Sequence, residues 1–116
     1  KSNQQSIKLN IMKLTGKCKK EFEKWFRRIN IKNNWLLNSF YKLPQSMQYG
    51  VFVDFFDSVG IRTSIRNIGD SYWYVINYPN KKGLKDRHEG KFTSRPEART
   101  KAIDKANKLL NEKLNK

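Results

Sequence analysis

The residues of this sequence with the clearest chemistry are its basic side chains, and they are patterned. Arg62 and Arg66 fall on the same side of an alternating segment, Lys81, Lys82, Lys85, Arg87 and Lys91 cluster around the turns that follow, and Arg95 and Arg99 open a C-terminal helical stretch. Lys and Arg neutralise phosphates in a salt-dependent way, and aromatic side chains set among them, here Tyr72, Trp73 and Tyr74, can stack on exposed bases. A helix start near Arg95 adds free backbone amides and the positive end of a helix dipole, both suited to a phosphate. These nine cations are the candidate nucleic-acid-binding residues. The competing reading makes the charges a solvated surface and the aromatics a core face, because at least one side of an alternating strand must be buried.

Other chemistry is sparse. His88 is the single histidine, so neither a triad with its base nor a histidine metal cluster can be assembled around it. It lies among Lys85, Asp86, Arg87 and Glu89 and reads as a solvated position. Asp54 and Asp57 are the one spaced carboxylate pair on a well-signalled helix. Such pairs bind magnesium or act as acid and base, but here they read as the polar face of an apolar helix or as partners for neighbouring cations. No glycine-rich phosphate loop occurs. We therefore expect no catalytic residue, no metal and no cofactor, and read the chain as a non-enzyme.

The charge balance points the same way. Twenty-five Lys and Arg against ten Asp and Glu give +15 over 116 residues. Residues 1 to 28 carry a net +7, residues 29 to 60 are neutral, and residues 61 to 116 carry +8. Such an excess favours a polyanionic partner. The length suits one domain, and 37% hydrophobic residues suffice for one modest core. No stretch approaches the roughly 18 apolar residues needed to span a bilayer, so no membrane association is expected. Cys18, the lone cysteine, cannot form an internal disulfide and suits a reducing compartment.

The elements that must position these residues follow from hydrophobic period. Cys18, Phe22, Trp25, Phe26 and Ile29 form one stripe of an amphipathic helix over Thr15 to Ile29, which makes Cys18 a small core residue. Asn30 to Lys42 reads as a loop with a short helical turn. A second helix should begin near Pro44 and end just before Gly60, burying Met47, Val51, Phe52, Phe55, Phe56 and Val59. After Gly60 the period alternates: Ile61, Thr63 and Ile65 oppose Arg62, Ser64 and Arg66. Asn67 to Asp70 reads as a hairpin turn, Ser71 to Tyr78 as a second strand, and Leu84 to Phe92 as a third, weakened by Gly90. Ser94 and Glu97 have capping-box spacing, and Ala98, Ala102, Ile103, Ala106, Leu109, Leu110 and Leu114 form the buried stripe of the last helix. The expected architecture is an α+β two-layer sandwich, helix, helix, three-stranded antiparallel sheet, helix. A basic, flexible arm over residues 1 to 14 should precede a single domain over 15 to 116.

Two segments, LPQSMQYGVFVDFFDSVGI at Leu43 to Ile61 and FTSRPEARTKAIDKANKLL at Phe92 to Leu110, resemble a group of small uncharacterised proteins of Bacteroidetes and their phages. The resemblance covers roughly the C-terminal two-thirds of the chain and implies a bacterial or phage setting without an activity. Trp73 through Ala98, with Gly90, Lys91 and Phe92 before a helix start, is similar to the arm-binding domains of tyrosine integrases, which implies DNA binding through the sheet. The order helix, three strands, helix also resembles double-stranded-RNA-binding domains, although the lysine pair and the long first hairpin loop of that family are missing. The function expected from these readings is a small non-catalytic protein that binds nucleic acid, DNA rather than RNA, through phosphate contacts. It would work in the cytoplasm of a bacterial host or within a phage particle. The alternative is a structural or protein-interaction component, such as a virion protein or an inhibitor of a host complex, docking through the neutral aromatic stretch from Trp35 to Tyr49.

Overall fold

The stripe read between Thr15 and Ile29 folds as helix α1 (Gly16–Ile29), which buries Cys18, Phe22 and Phe26. The structure, a computed structural model, describes residues 11–31, 36–80 and 83–115, with the side chains of residues 80 and 84–87 outside that description. Trp25 is only partly covered, and Ile29, on the final turn, is 50% exposed, so the stripe outruns the core at its last residue. The short helical turn is helix α2 (Leu37–Tyr41), whose Phe40 is buried. Helix α3 (Gln45–Ser58) supplies Phe52, Phe55 and Phe56. Phe22 sits at the centre of this cluster, its ring 5.1 to 5.9 Å from those of Trp25, Phe26, Phe40, Phe52 and Phe55.

The buried face of α3 is set one residue from where hydrophobicity alone places it. Met47 is 54% exposed, and its neighbour Gln48 is 3% exposed. Gln48, Phe52, Phe55 and Phe56 fall on one helical stripe, and the polar member is satisfied: Gln48 Nε2 donates to the carbonyls of Tyr41 (3.1 Å) and Leu43 (2.9 Å). A buried amide with its donors paired fixes the α2–α3 turn and costs far less than an unpaired one. Helix α3 ends as expected at Gly60, whose φ of +87° is that of a left-handed cap. Ile61 N donates to Phe56 O and Gly60 N to Asp57 O, the paired bonds of a Schellman motif.

Strands β1 (Arg62–Ile68), β2 (Ser71–Asn80) and β3 (Gly83–Phe92) form an antiparallel sheet in the order β1-β2-β3. The first hairpin is tighter than expected, because β1 continues to Ile68, which pairs with Ser71 across Gly69 and Asp70. Buried strand positions lie on one side, at Tyr74 and Ile76, with Thr63 and Ile65 paired opposite them. Helix α4 (Arg95–Leu114) packs on that side against all three strands through Ala98, Ala102, Ile103, Ala106 and Leu110. Its small alanines let the helix axis approach the sheet closely. Ser94 Oγ accepts the Glu97 amide at 3.2 Å, whereas the Glu97 carboxylate takes the amide of Thr93 rather than of Ser94. The architecture is α+β, four helices and one three-stranded antiparallel sheet among the described residues.

Two further features tie the ends of the chain together. The N-terminus of α1 has no cap from its own Thr15 side chain. Instead α4 caps it: Asn107 Oδ1 accepts Thr15 N (2.9 Å), and Asn111 Oδ1 accepts Cys18 N (2.9 Å). Ahead of α1, Met12 and Leu14 are buried in the core, and Met12 N donates to Gln45 Oε1 at 2.8 Å. Packing thus begins within the stretch read as an arm, whose residues 1–10 lie outside the described residues. No described helix is long and apolar enough to cross a membrane.

Candidate nucleic-acid interface

The side of the sheet turned away from the helices carries no covering element among those described. Arg62, Ser64 and Arg66 project from it on β1, and all three are exposed. Their register partners on β2 are Asn77, Val75 and Trp73, and Val75 pairs in turn with His88 on β3. The side chain of Arg62 is 79% exposed and paired loosely with Asp57 at 3.8 Å. Asp57 therefore serves as a partner for a neighbouring cation, as read from the sequence, and Asp54 is exposed.

Trp73 is held in place by a glycine. Between Tyr72 and Tyr74 the β2–β3 register slips by one residue, so Gly90 and Lys91 together stand opposite Trp73. That is a β-bulge, and Lys91 adopts a φ of +64° within it. A Cβ on Gly90 would lie 1.8 Å from Trp73 Cδ2, 2.1 Å from Cε3 and 2.3 Å from Cε2. These atoms surround the ring fusion, so the approach is onto the indole face and not its rim. The indole lies flat on the Gly90 backbone, and only glycine leaves room for it. The sequence marks Gly90 as a weakness in β3, and the structure makes it the seat of Trp73.

Arg95 and Arg99 lie on the other side of the sheet. Each guanidinium stands over a phenol ring, Arg95 over Tyr72 and Arg99 over Tyr49, both at 5.4 Å from the centroid. Burial pushes the Tyr49 phenol above its ordinary range, with the Thr63 hydroxyl and the charges of Arg99 and Arg95 acting against it. That hydroxyl acts from short of full hydrogen-bonding geometry, since Thr63 Oγ1 is buried with no bonded partner. Cation–π contact holds the two arginines in place.

The nine predicted cations are thus not one surface. Arg62 and Arg66 share the open sheet face with Trp73, Lys91 is exposed in the bulge beside it, and Arg95 and Arg99 belong to the helix layer. Lys85 and Arg87 are placed by register alone, opposite Tyr78 and Ile76. Lys81 and Lys82 lie outside the described residues. Comparison with protein-family models, curated proteins and solved structures finds no match to this chain.

His88 is exposed, and no group of three or more His, Cys, Asp or Glu that could hold a metal occurs among the described residues. Cys18 is fully buried, and desolvation pushes its thiol up to about 12, which disfavours the nucleophilic thiolate. Burial and the Glu23 carboxylate, which accepts its proton at 3.0 Å, both raise the Tyr41 phenol. Missed in the sequence were Gln48, Asn107 and Asn111. Each falls on the apolar stripe of its helix, and that placement was the available signal.

Proposed function

We propose that this chain is a small, non-catalytic nucleic-acid-binding protein of bacterial or phage origin that contacts the phosphate backbone with its uncovered sheet face. One observation carries the reading. The chain has an excess of fifteen positive charges, yet only two ion pairs form among the described residues, Arg62–Asp57 and Lys108–Asp104, and all four side chains are more than half exposed. Internal partners do not neutralise the excess, and the cost of holding it together is offset best by an external polyanion. Arg62 and Arg66 head the surface, with Lys91, and Arg95 and Arg99 supply a second set behind the sheet. DNA is favoured over RNA by the likeness of Trp73 through Ala98 to DNA-reading domains.

Salt dependence tests the reading. Affinity for a DNA oligonucleotide should fall steeply between about 50 and 200 mM salt, and replacing Arg62 and Arg66 with Gln should lower the log–log slope by roughly two, near 0.9 per lost phosphate contact. A slope unchanged by the double substitution would remove this face from the interface.

A second reading has its own observation. Ile29, Ile31, Leu36, Tyr41 and Met47 are all exposed, and they cluster in sequence around the α1–α2–α3 connections. In that reading the neutral middle of the chain docks on a protein. Such a complex would resist salt and weaken on truncation of Tyr41 or Trp35.

A further inference from the structure

The seat of Trp73 narrows the kind of nucleic acid. We propose that Trp73 is a stacking platform for an unpaired base, so that the open sheet face takes single-stranded nucleic acid in preference to a duplex. This rests on the nucleic-acid reading above and goes further than phosphate contact.

Three observations point there. First, one face of the indole is taken up by the Gly90 backbone, as the contacts at the ring fusion require. The opposite face therefore points away from the sheet, on the side no described helix covers. Second, the ring is fixed before any ligand arrives, because the bulge and the missing Cβ define one seat for it. A preorganised aromatic loses little freedom on binding, and alanine substitution at such platforms typically costs about 1–3 kcal/mol per base. Third, cations flank the ring: Arg66 is its direct cross-strand partner on the same face, and Lys91 is exposed in the bulge. A stacked base needs its own phosphate neutralised close by, and that arrangement provides it.

A duplex cannot use this platform. Its base faces are already stacked on one another, and it offers the protein only groove edges and phosphates, whereas a single strand presents free base faces. A partly buried indole on a basic sheet face is thus complementary to the single strand in both shape and charge. A purely architectural role, in which Trp73 only fills the space above Gly90, predicts no response of the ring to ligand.

The full chain is tested against oligothymidine and against a random-sequence duplex of equal length, at the same salt. The native protein should bind the single strand more tightly than the duplex. In a background with Trp25→Phe and Trp35→Phe, single-strand binding should quench the remaining indole fluorescence, and duplex binding should not. Trp73→Leu should weaken single-strand affinity by roughly 5- to 150-fold while leaving duplex affinity and the salt slope unchanged. The native-chain comparison decides the matter even if a variant fails to fold. Equal or tighter duplex binding, or an indole unquenched by bound oligothymidine, overturns the platform while leaving the nucleic-acid reading intact. Binding to neither ligand overturns both.

Discussion

Replacing Asn107 with Ala should be among the most damaging polar substitutions in this protein, because one buried amide joins two helices far apart in sequence. Asn107 is 5% exposed. Its Oδ1 accepts Thr15 N at 2.9 Å and its Nδ2 donates to Thr15 Oγ1 at 3.0 Å. Removing the side chain orphans a backbone donor at the start of α1. A lost hydrogen bond is worth about 1 kcal/mol net, and a buried donor left without a partner costs about 1–3 kcal/mol. Because Asn111 Nδ2 still lies 3.4 Å from Thr15 Oγ1, the hydroxyl keeps a contact, and the sum settles near 2 kcal/mol. For a chain of this length that is a drop in Tm of roughly 6–12 °C. Asn111 is only partly buried, so water can replace its bonds, and Asn111→Ala should cost about 1 kcal/mol. The double substitution should cost more than the sum, since each amide is the other's remaining partner for the Thr15 hydroxyl. Urea denaturation of the three variants measures this directly. An Asn107→Ala protein within about 0.5 kcal/mol of the native chain would refute the claim that α4 caps α1.

Two further outcomes follow from the packing. Gly90→Ala should be destabilising by about 1–3 kcal/mol, the usual penalty of overpacking, because the new methyl would fall inside the Trp73 ring; a thermal melt checks it, and an unchanged Tm would mean that the indole moves aside freely. Cys18 keeps its proton in the fold to about 12 against an ordinary 9.0, so the native state binds more protons than the unfolded chain across that window. Its contribution to stability is whole below about pH 9 and is lost as pH rises toward 12, and Cys18→Ala should flatten the fall in urea midpoint between about pH 8 and pH 10. A thiol reagent should likewise label native Cys18 far more slowly than the urea-unfolded chain.

How far the sequence could be read depended on what each residue answers to. The helices over residues 16–29, 45–58 and 95–114, and the strand faces of β1 and β2, follow apolar period, and period survives folding because burial enforces it. Met47 and Ile29 defeated it for a common reason. Period says which side of a helix is apolar, but not which residue at the margin of that side finds a neighbour. Gln48, Asn107 and Asn111 were hidden because a polar residue on a stripe is favourable only when its partner is in place, and those partners are supplied by other elements. The same holds for Gly90. Its value lies in Trp73, seventeen positions earlier, and depends on a register slip that no local propensity encodes.

The candidate surface shows the same divide more sharply. In sequence the cations from Arg62 to Arg99 form one basic block, yet strand alternation sends Arg62 and Arg66 to the open face, while Arg95 and Arg99 rise from the helix layer onto tyrosine rings. A sheet and a packed helix stand on the order of 10 Å apart, and charges are screened over about 8 Å at physiological salt. Under the proposed function the two groups would therefore act on a ligand almost independently. They also differ in what binding costs them. Binding would immobilise the exposed chains of Arg62 and Arg66, at about 0.5–1.5 kcal/mol each, whereas Arg95 and Arg99 are already partly held over the rings of Tyr72 and Tyr49. Net charge alone would rank these four arginines equally. Their settings do not: under the proposed function Arg66, across from Trp73, and Arg62, further along the same face, would share one short ligand, and the helix-side pair would join them only when the ligand is long enough to pass around the edge of the sheet.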